Sequence, residues 1–205
     1  MTILTLQAAD KDTDIEEEAP TTNLGSVANI TLDCKSGNIR HILMEFSIAT
    51  LPAKAIISNA SLSLLYYAAL TGTPEGRTYY CDRLVRRDFV ESQATWNVYY
   101  TGASWSSAGC NTLDTDYTNE YRASAVLPAA GNWIAWDVTN QVKVAQGASV
   151  TADFCIRDSD ETGGTRHLPS FRSAEYATSG ERPKLVITYS LPGGISKLIA
   201  GGLLG

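Results

Sequence analysis

Apolar side chains recur at every second position in one stretch of the chain after another. Ala28, Ile30 and Leu32 form one such row, and Ile42, Met44, Phe46 and Ile48 a second. Ala60, Leu62, Leu64 and Tyr66 follow, then Ile134, Trp136 and Val138, then Val150, Ala152, Phe154 and Ile156, and finally Leu185, Ile187 and Tyr189. Successive side chains of a strand point to opposite faces, so each row predicts one buried face of a half-exposed antiparallel strand. Turn-forming clusters separate the rows: Ser36-Gly37-Asn38, Thr71 to Gly76, Ala130-Gly131-Asn132 and Thr162-Gly163-Gly164. The predicted fold class is all-β, an antiparallel two-sheet β-sandwich of jelly-roll type with one short helix and an extended C-terminal arm.

With 44% hydrophobic and 19% charged residues in 205, the chain has enough apolar material for a packed core, which excludes wholesale disorder. Of the net charge of −6, a net −5 lies between Asp10 and Glu18. No basic stripe is present to neutralise phosphates, which argues against nucleic acid as a partner, and the sign does not favour an anionic membrane surface. No apolar run approaches the roughly 18–20 residues of a membrane span. Met1 to Gln7 lacks the basic and apolar regions of a signal peptide, giving an expectation of cytoplasmic synthesis. Cys34, Cys81, Cys110 and Cys155 are far apart and form no C-x-x-C pair, and His41 and His167 are the two histidines. Buried free thiols are the favoured reading; three disulfide pairings stay open.

The helix is expected where Val138, Val142 and Ala145 share a face, with Thr139 as cap and Gly147 as stop. Phe89 to Tyr121, rich in Trp and Tyr with weak periodicity, reads as a long loop folded over the sandwich. After residue 190 the composition turns glycine-rich and apolar. Residues 1–190 are therefore expected to be the sandwich, and 191–205 an arm that docks in a groove.

The residues also resemble a known family. Asp12-Thr13-Asp14-Ile15, Pro20-Thr21-Thr22-Asn23-Leu24-Gly25 and Arg40 to Phe46 are similar to the opening of DNRLRE domains, and Leu51-Pro52 with Ile56 to Leu64 resembles the strand that follows. Val90-Glu91, Thr95-Trp96-Asn97, Trp105, Trp133, Trp136 to Thr139, Phe171, Ser173, Glu175 and Arg182 to Tyr189 continue the likeness in order, across roughly residues 8–190. The resemblance implies a jelly-roll sandwich. Such domains occur in extracellular bacterial and archaeal proteins, are related to polysaccharide-binding modules, and occur in tailed-phage virions. Trp96, Trp136 and Phe46 are expected to fill the core, Asp137 to satisfy backbone donors where strand becomes helix, and Arg182-Pro183 to open the last strand.

Four candidate sites follow from residue type and spacing. Asp10, Asp12 and Asp14 alternate, so they can present carboxylates on one side of an extended segment and supply two or three oxygens to Ca²⁺; the competing reading is a solvated acidic edge. Asp158, Asp160 and Glu161 are a weaker group of the same kind. Tyr99, Tyr100, Trp105 and Tyr117, with Tyr121, can form a platform for sugar rings, set against packing as a second small core. Ile195, Leu198, Ile199, Leu203 and Leu204 are the apolar contacts of the arm, expected to assemble the chain with copies of itself and with other virion proteins. No nucleophile motif stands beside a base, so no catalytic residue, and beyond Ca²⁺ no cofactor, is expected. The leading expectation is a non-enzymatic structural subunit of a tailed phage (capsid decoration, collar or tail), on the virion surface after cytoplasmic synthesis. The alternative is a module recognising a surface polysaccharide, extracellular or at a cell surface.

Overall fold

A computed structural model describes residues 1–192. The expected contacts of the arm, Ile195, Leu198, Ile199, Leu203 and Leu204, lie outside those residues. The strands are β1 (Thr2–Gln7), β2 (Lys11–Glu16), β3 (Asn29–Thr31), β4 (Arg40–Phe46), β5 (Ile56–Thr71), β6 (Thr78–Leu84), β7 (Val98–Tyr100) and β8 (Ala103–Ser104). They continue with β9 (Tyr117–Val126), β10 (Asn132–Asp137), β11 (Ala152–Asp158), β12 (Leu168–Arg172) and β13 (Lys184–Ser190), with helix α1 (Thr139–Ala148) after β10.

Two antiparallel sheets face each other, as the alternation predicts. The front sheet is built on the 16-residue strand β5. Leu62 of β5 is flanked by Leu185 and Trp136, and Tyr66 by Phe171 and Asn132. Hence β13 and β12 share one edge of β5 end to end, while β10 runs along the other; β1 adds to β13 and β3 to β12. The back sheet runs β2-β4-β11-β6-β9. Ile42, Met44, Phe46, Leu62, Leu64, Tyr66, Trp136, Phe154, Ile156, Leu185 and Ile187 meet between the sheets in one core. Trp136 is fully buried there, and its indole N–H donates to the Tyr79 carbonyl (2.9 Å), so the largest side chain of the core leaves no orphan donor.

The half-exposed reading fails for the back sheet. All of β11 is buried, as is β4 beyond its first residue. Residues 85–116 fold across the outer face and build a second core on it, in which Ile15, Leu43, Leu84 and Cys155 of the sheet meet Phe89, Ala94, Trp96, Tyr99, Trp105 and Cys110. Trp96 therefore fills this second core, whereas Phe46 and Trp136 fill the first. Asp116 pins the covering segment: its carboxylate accepts the backbone N–H groups of Ser106 (2.9 Å), Ser107 (3.1 Å) and Thr112 (3.0 Å). Gly109, at a φ of +82°, packs its backbone on Trp96, where a side chain would meet the indole ring.

Some boundaries also differ from expectation. Tyr117 and Tyr121 belong to β9, not to the loop; a bulge opposite β6, with Tyr121 at a φ of +63°, hides the alternation. Ala28 is exposed, one residue short of β3. Helix α1 carries Gly147 inside it and ends at Ser149 in the left-handed conformation, whose N–H reaches the Ala145 and Gln146 carbonyls. Thr139 does not cap the helix: its hydroxyl bonds to Asp137 (2.5 Å) and accepts the Ala60 N–H (2.8 Å), while Asp137 also takes the Thr139 N–H (3.0 Å). The backbone role read for Asp137 is thus observed.

Candidate functional site

The aromatic residues of the covering segment face inward. Trp105 is 4% exposed and Tyr99 8%. The Trp105 indole N–H donates to the Thr95 carbonyl (2.9 Å), and its ring lies 5.3 Å from that of Tyr99, which meets Tyr100 edge-on at 4.8 Å. Tyr117 is half-buried, with the Arg157 guanidinium 3.9 Å from its ring centroid. Tyr99, Tyr100, Trp105 and Tyr117 thus do not form an exposed sugar platform. Half the surface of the back sheet would otherwise lie apolar and open, and burying these rings against it removes both apolar surfaces from water.

Asp10, Asp12 and Asp14 do not act as a row. Asp10 is exposed and accepts the Ser47 N–H (2.6 Å), whereas Asp12 and Asp14 are 1% and 2% exposed, which also corrects the reading of a solvated edge. In register they stand opposite Met44 and Ile42, so both point between the sheets. Asp14 bridges that gap: its Oδ2 accepts the backbone N–H (3.1 Å) and hydroxyl (2.5 Å) of Thr31 in the front sheet, with Arg40 3.7 Å away. Burial raises its pKa to about 6 against the opposing pull of Thr31 and Arg40. Asp12 instead lies with Glu91 and Glu175. Asp158 is buried and paired with Arg77 (2.8 Å), Glu161 bonds to the buried His41 (2.8 Å), and Asp160 turns to Thr162 (2.7 Å), so these three are spent separately. His41 also contacts the Gly109 carbonyl through Nδ1 (2.7 Å), a structural use of both ring nitrogens.

On the back sheet Tyr121 of β9 stays exposed, apart from the buried rings of the covering segment; a larger group of accessible rings lies on the other sheet. Since Leu62, Leu64 and Tyr66 point into the core, Ser63, Leu65 and Tyr67 point out of the front sheet. Trp133 of β10 stands opposite Leu65, and Lys184 of β13 opposite Ser63. Ser63 is small, so the lysine can reach over it, and its ammonium lies 3.8 Å from the Trp133 ring centroid. Further along β5, the Arg172 guanidinium is held between Tyr67 (3.8 Å) and Tyr176 (3.9 Å). Arg172 also donates to Asn29 (2.8 Å) and to Glu181 (3.3 Å), which fixes it in place. Trp133, Tyr67 and Tyr176 are each half-buried, with aromatic surface left to solvent. Rings, an ammonium and a guanidinium on one face of a rigid sheet can stack on the C–H faces of sugars and donate to their oxygens.

The model of carbohydrate-binding module family 96 matches residues 83–189, just over half of the chain. The chain belongs to that family. No curated protein matches it. The family 96 segment begins at Arg83 in β6 and ends at Tyr189 in β13, so it contains Trp133, Arg172, Tyr176 and Lys184 and excludes Tyr67. The match bears on the second of the two functional expectations, carbohydrate recognition, and lends nothing to the virion role. In the sequence Trp133 stands out only as a family landmark, and Tyr67 and Tyr176 are not among the candidate site residues. The available signal was parity: Tyr67 lies one position off the apolar row ending at Tyr66, which assigns it to the opposite face.

Proposed function

We propose that this family 96 module binds a polysaccharide on the outer face of its front sheet, with Trp133, Tyr67 and Tyr176 as the stacking surfaces and Lys184 and Arg172 as donors to sugar oxygens. The group of half-buried aromatic rings on the outer face of the front sheet carries the reading, and the family match supports it. Trp133 is half-buried, and the Lys184 ammonium over its ring leaves aromatic surface available for stacking. The sugar would meet side chains that are already placed by strand register, so little conformational entropy is lost on binding. Affinity gel electrophoresis against a panel of soluble polysaccharides tests this. Retardation of the intact protein by at least one polysaccharide, lost on Trp133→Ala, is the expected result. Equal retardation of Trp133→Ala and the intact protein would place the sugar elsewhere.

A further inference from the structure

At one rim of the sandwich three carboxylates from separate parts of the chain converge. Asp12 belongs to β2, Glu91 to the turn after Phe89 in the covering segment, and Glu175 to the turn that follows β12 of the front sheet. One oxygen of each lies within 4.8 Å of the others. Asp12 is 1% exposed; its Oδ2 accepts the Ala174 N–H (2.8 Å), while its buried Oδ1 has no hydrogen-bond partner among the described residues. A carboxylate oxygen taken out of water without a partner is costly, and two further acids beside it add to the cost. Burial, then Glu175, push the Asp12 pKa well above the usual carboxylate range, and Glu91 and Asp14 act in the same direction. The cation that acts on Glu91, Lys11, is paired with Glu45 (2.8 Å).

The surrounding chain fixes the backbone that carries these groups. Asn23 donates to the carbonyls of Glu91 (2.6 Å) and Ala94 (2.8 Å), clamping the turn that carries Glu91. Gly25 lies so close that a Cβ there would run into the Glu91 carbonyl oxygen. The Glu91 Oε1 accepts the Asp12 N–H (2.7 Å), and the Glu175 N–H bonds to the buried Ser173 hydroxyl (3.2 Å). Oxygens on opposite sides of a calcium ion lie about 5 Å apart, given metal–oxygen distances of about 2.3–2.6 Å. The spacing of the three carboxylates fits that sphere, and three carboxylates offer up to six oxygens with water free to complete the shell.

We propose that Asp12, Glu91 and Glu175 bind a calcium ion, which joins the edge of the back sheet, the covering segment and the turn after β12. The sugar-stacking face is a separate site, although Glu175 adjoins Tyr176. The test uses the full chain, freed of metal with a chelator and titrated with CaCl₂ in a calorimeter, with MgCl₂ in parallel. Glu175 is exposed, so Glu175→Gln retains the fold, which its melting in chelator verifies. The expected result is one calcium per chain, a melting temperature that rises on adding CaCl₂, and at least tenfold weaker binding by Glu175→Gln. Absence of both heat and a melting shift in the unaltered protein would overturn the proposal, as would unchanged affinity in Glu175→Gln. An equal response to MgCl₂ would overturn the choice of calcium.

Discussion

The ammonium of Lys184 sits 3.8 Å from the ring centroid of Trp133, although two other residues, Ser63 and Leu65 of β5, occupy the strand between them. This contact spans three strands of the front sheet and exists because Ser63 is short enough to be crossed. It holds the indole in a fixed orientation on the outer face. Trp133→Ala is expected to weaken polysaccharide binding about tenfold or more, the usual consequence of truncating an aromatic anchor. The fold should survive, since the side chain lies outside the core. Isothermal titration with the polysaccharide retarded in gels, together with the melting temperature, checks both statements.

Trp105→Ala should do the reverse. Trp105 lies in the second core and donates to the Thr95 carbonyl, so its loss leaves a cavity and an unmet acceptor. A cost of about 3–5 kcal/mol is expected, as for other buried Trp or Phe truncations. Urea unfolding measures it. Below the melting range the variant should bind polysaccharide as the unaltered protein does, because the covering segment and the sugar face lie on opposite sheets.

Stability should fall as pH rises from about 4 to about 7. A carboxyl whose folded pKa exceeds its unfolded value takes up protons on folding, so its destabilising effect is absent below the unfolded pKa and complete above the folded one. Asp14, raised to about 6 by burial, has this sign. So does Asp153, raised to about 7 by burial and by Glu45, which stands directly opposite it in β4. Asp137, held below its ordinary 3.8 by Thr139, acts in the opposite sense and only under more acid conditions. Asp153→Asn keeps an acceptor for the Thr151 hydroxyl and removes the charge. Its melting temperature should decline less between pH 6 and 8 than that of the unaltered protein.

All four cysteines are buried and free. Burial raises the pKa of Cys34, Cys81 and Cys110, which reduces the reactive thiolate. Cys155 is lowered to about 6 by Cys110 and Arg157, yet it is fully enclosed. Iodoacetamide should therefore add no mass to the folded protein and four adducts to the protein unfolded in guanidinium, as read by intact mass spectrometry. Labelling of Cys155 in the folded state would show that the covering segment opens.

Some features were legible in the sequence because they depend on neighbours along the chain. The alternating rows fixed which faces of β4, β5, β10, β11 and β13 meet in the first core, and Asp137-Val138-Thr139 marked the passage from strand to helix. Strand β6 gave no clear row, because Tyr79 and Cys81 point inward while Tyr80 and Asp82, which alternate with them, are an aromatic and an acid. Strand β9 was hidden by its bulge. The acidic run carried no sign that Asp12 and Asp14 would be buried, since composition predicts exposure for acids unless their partners are known.

The sequence by itself determined an all-β sandwich with its first core and short helix, because period-two alternation is a local property that only a strand can satisfy. Only the tertiary structure decided which aromatics were consumed and which were left outside. Trp105 and Trp133 are indistinguishable as residues. One is enclosed because residues 85–116 fold over the back sheet, and the other stays at the surface because no segment among the described residues encloses it. The same holds for the meeting of Asp12, Glu91 and Glu175, separated by 79 and then 84 positions in the chain. Such groupings arise from the packing of two sheets and a loop, where long-range burial sets the arrangement and no local pattern encodes it.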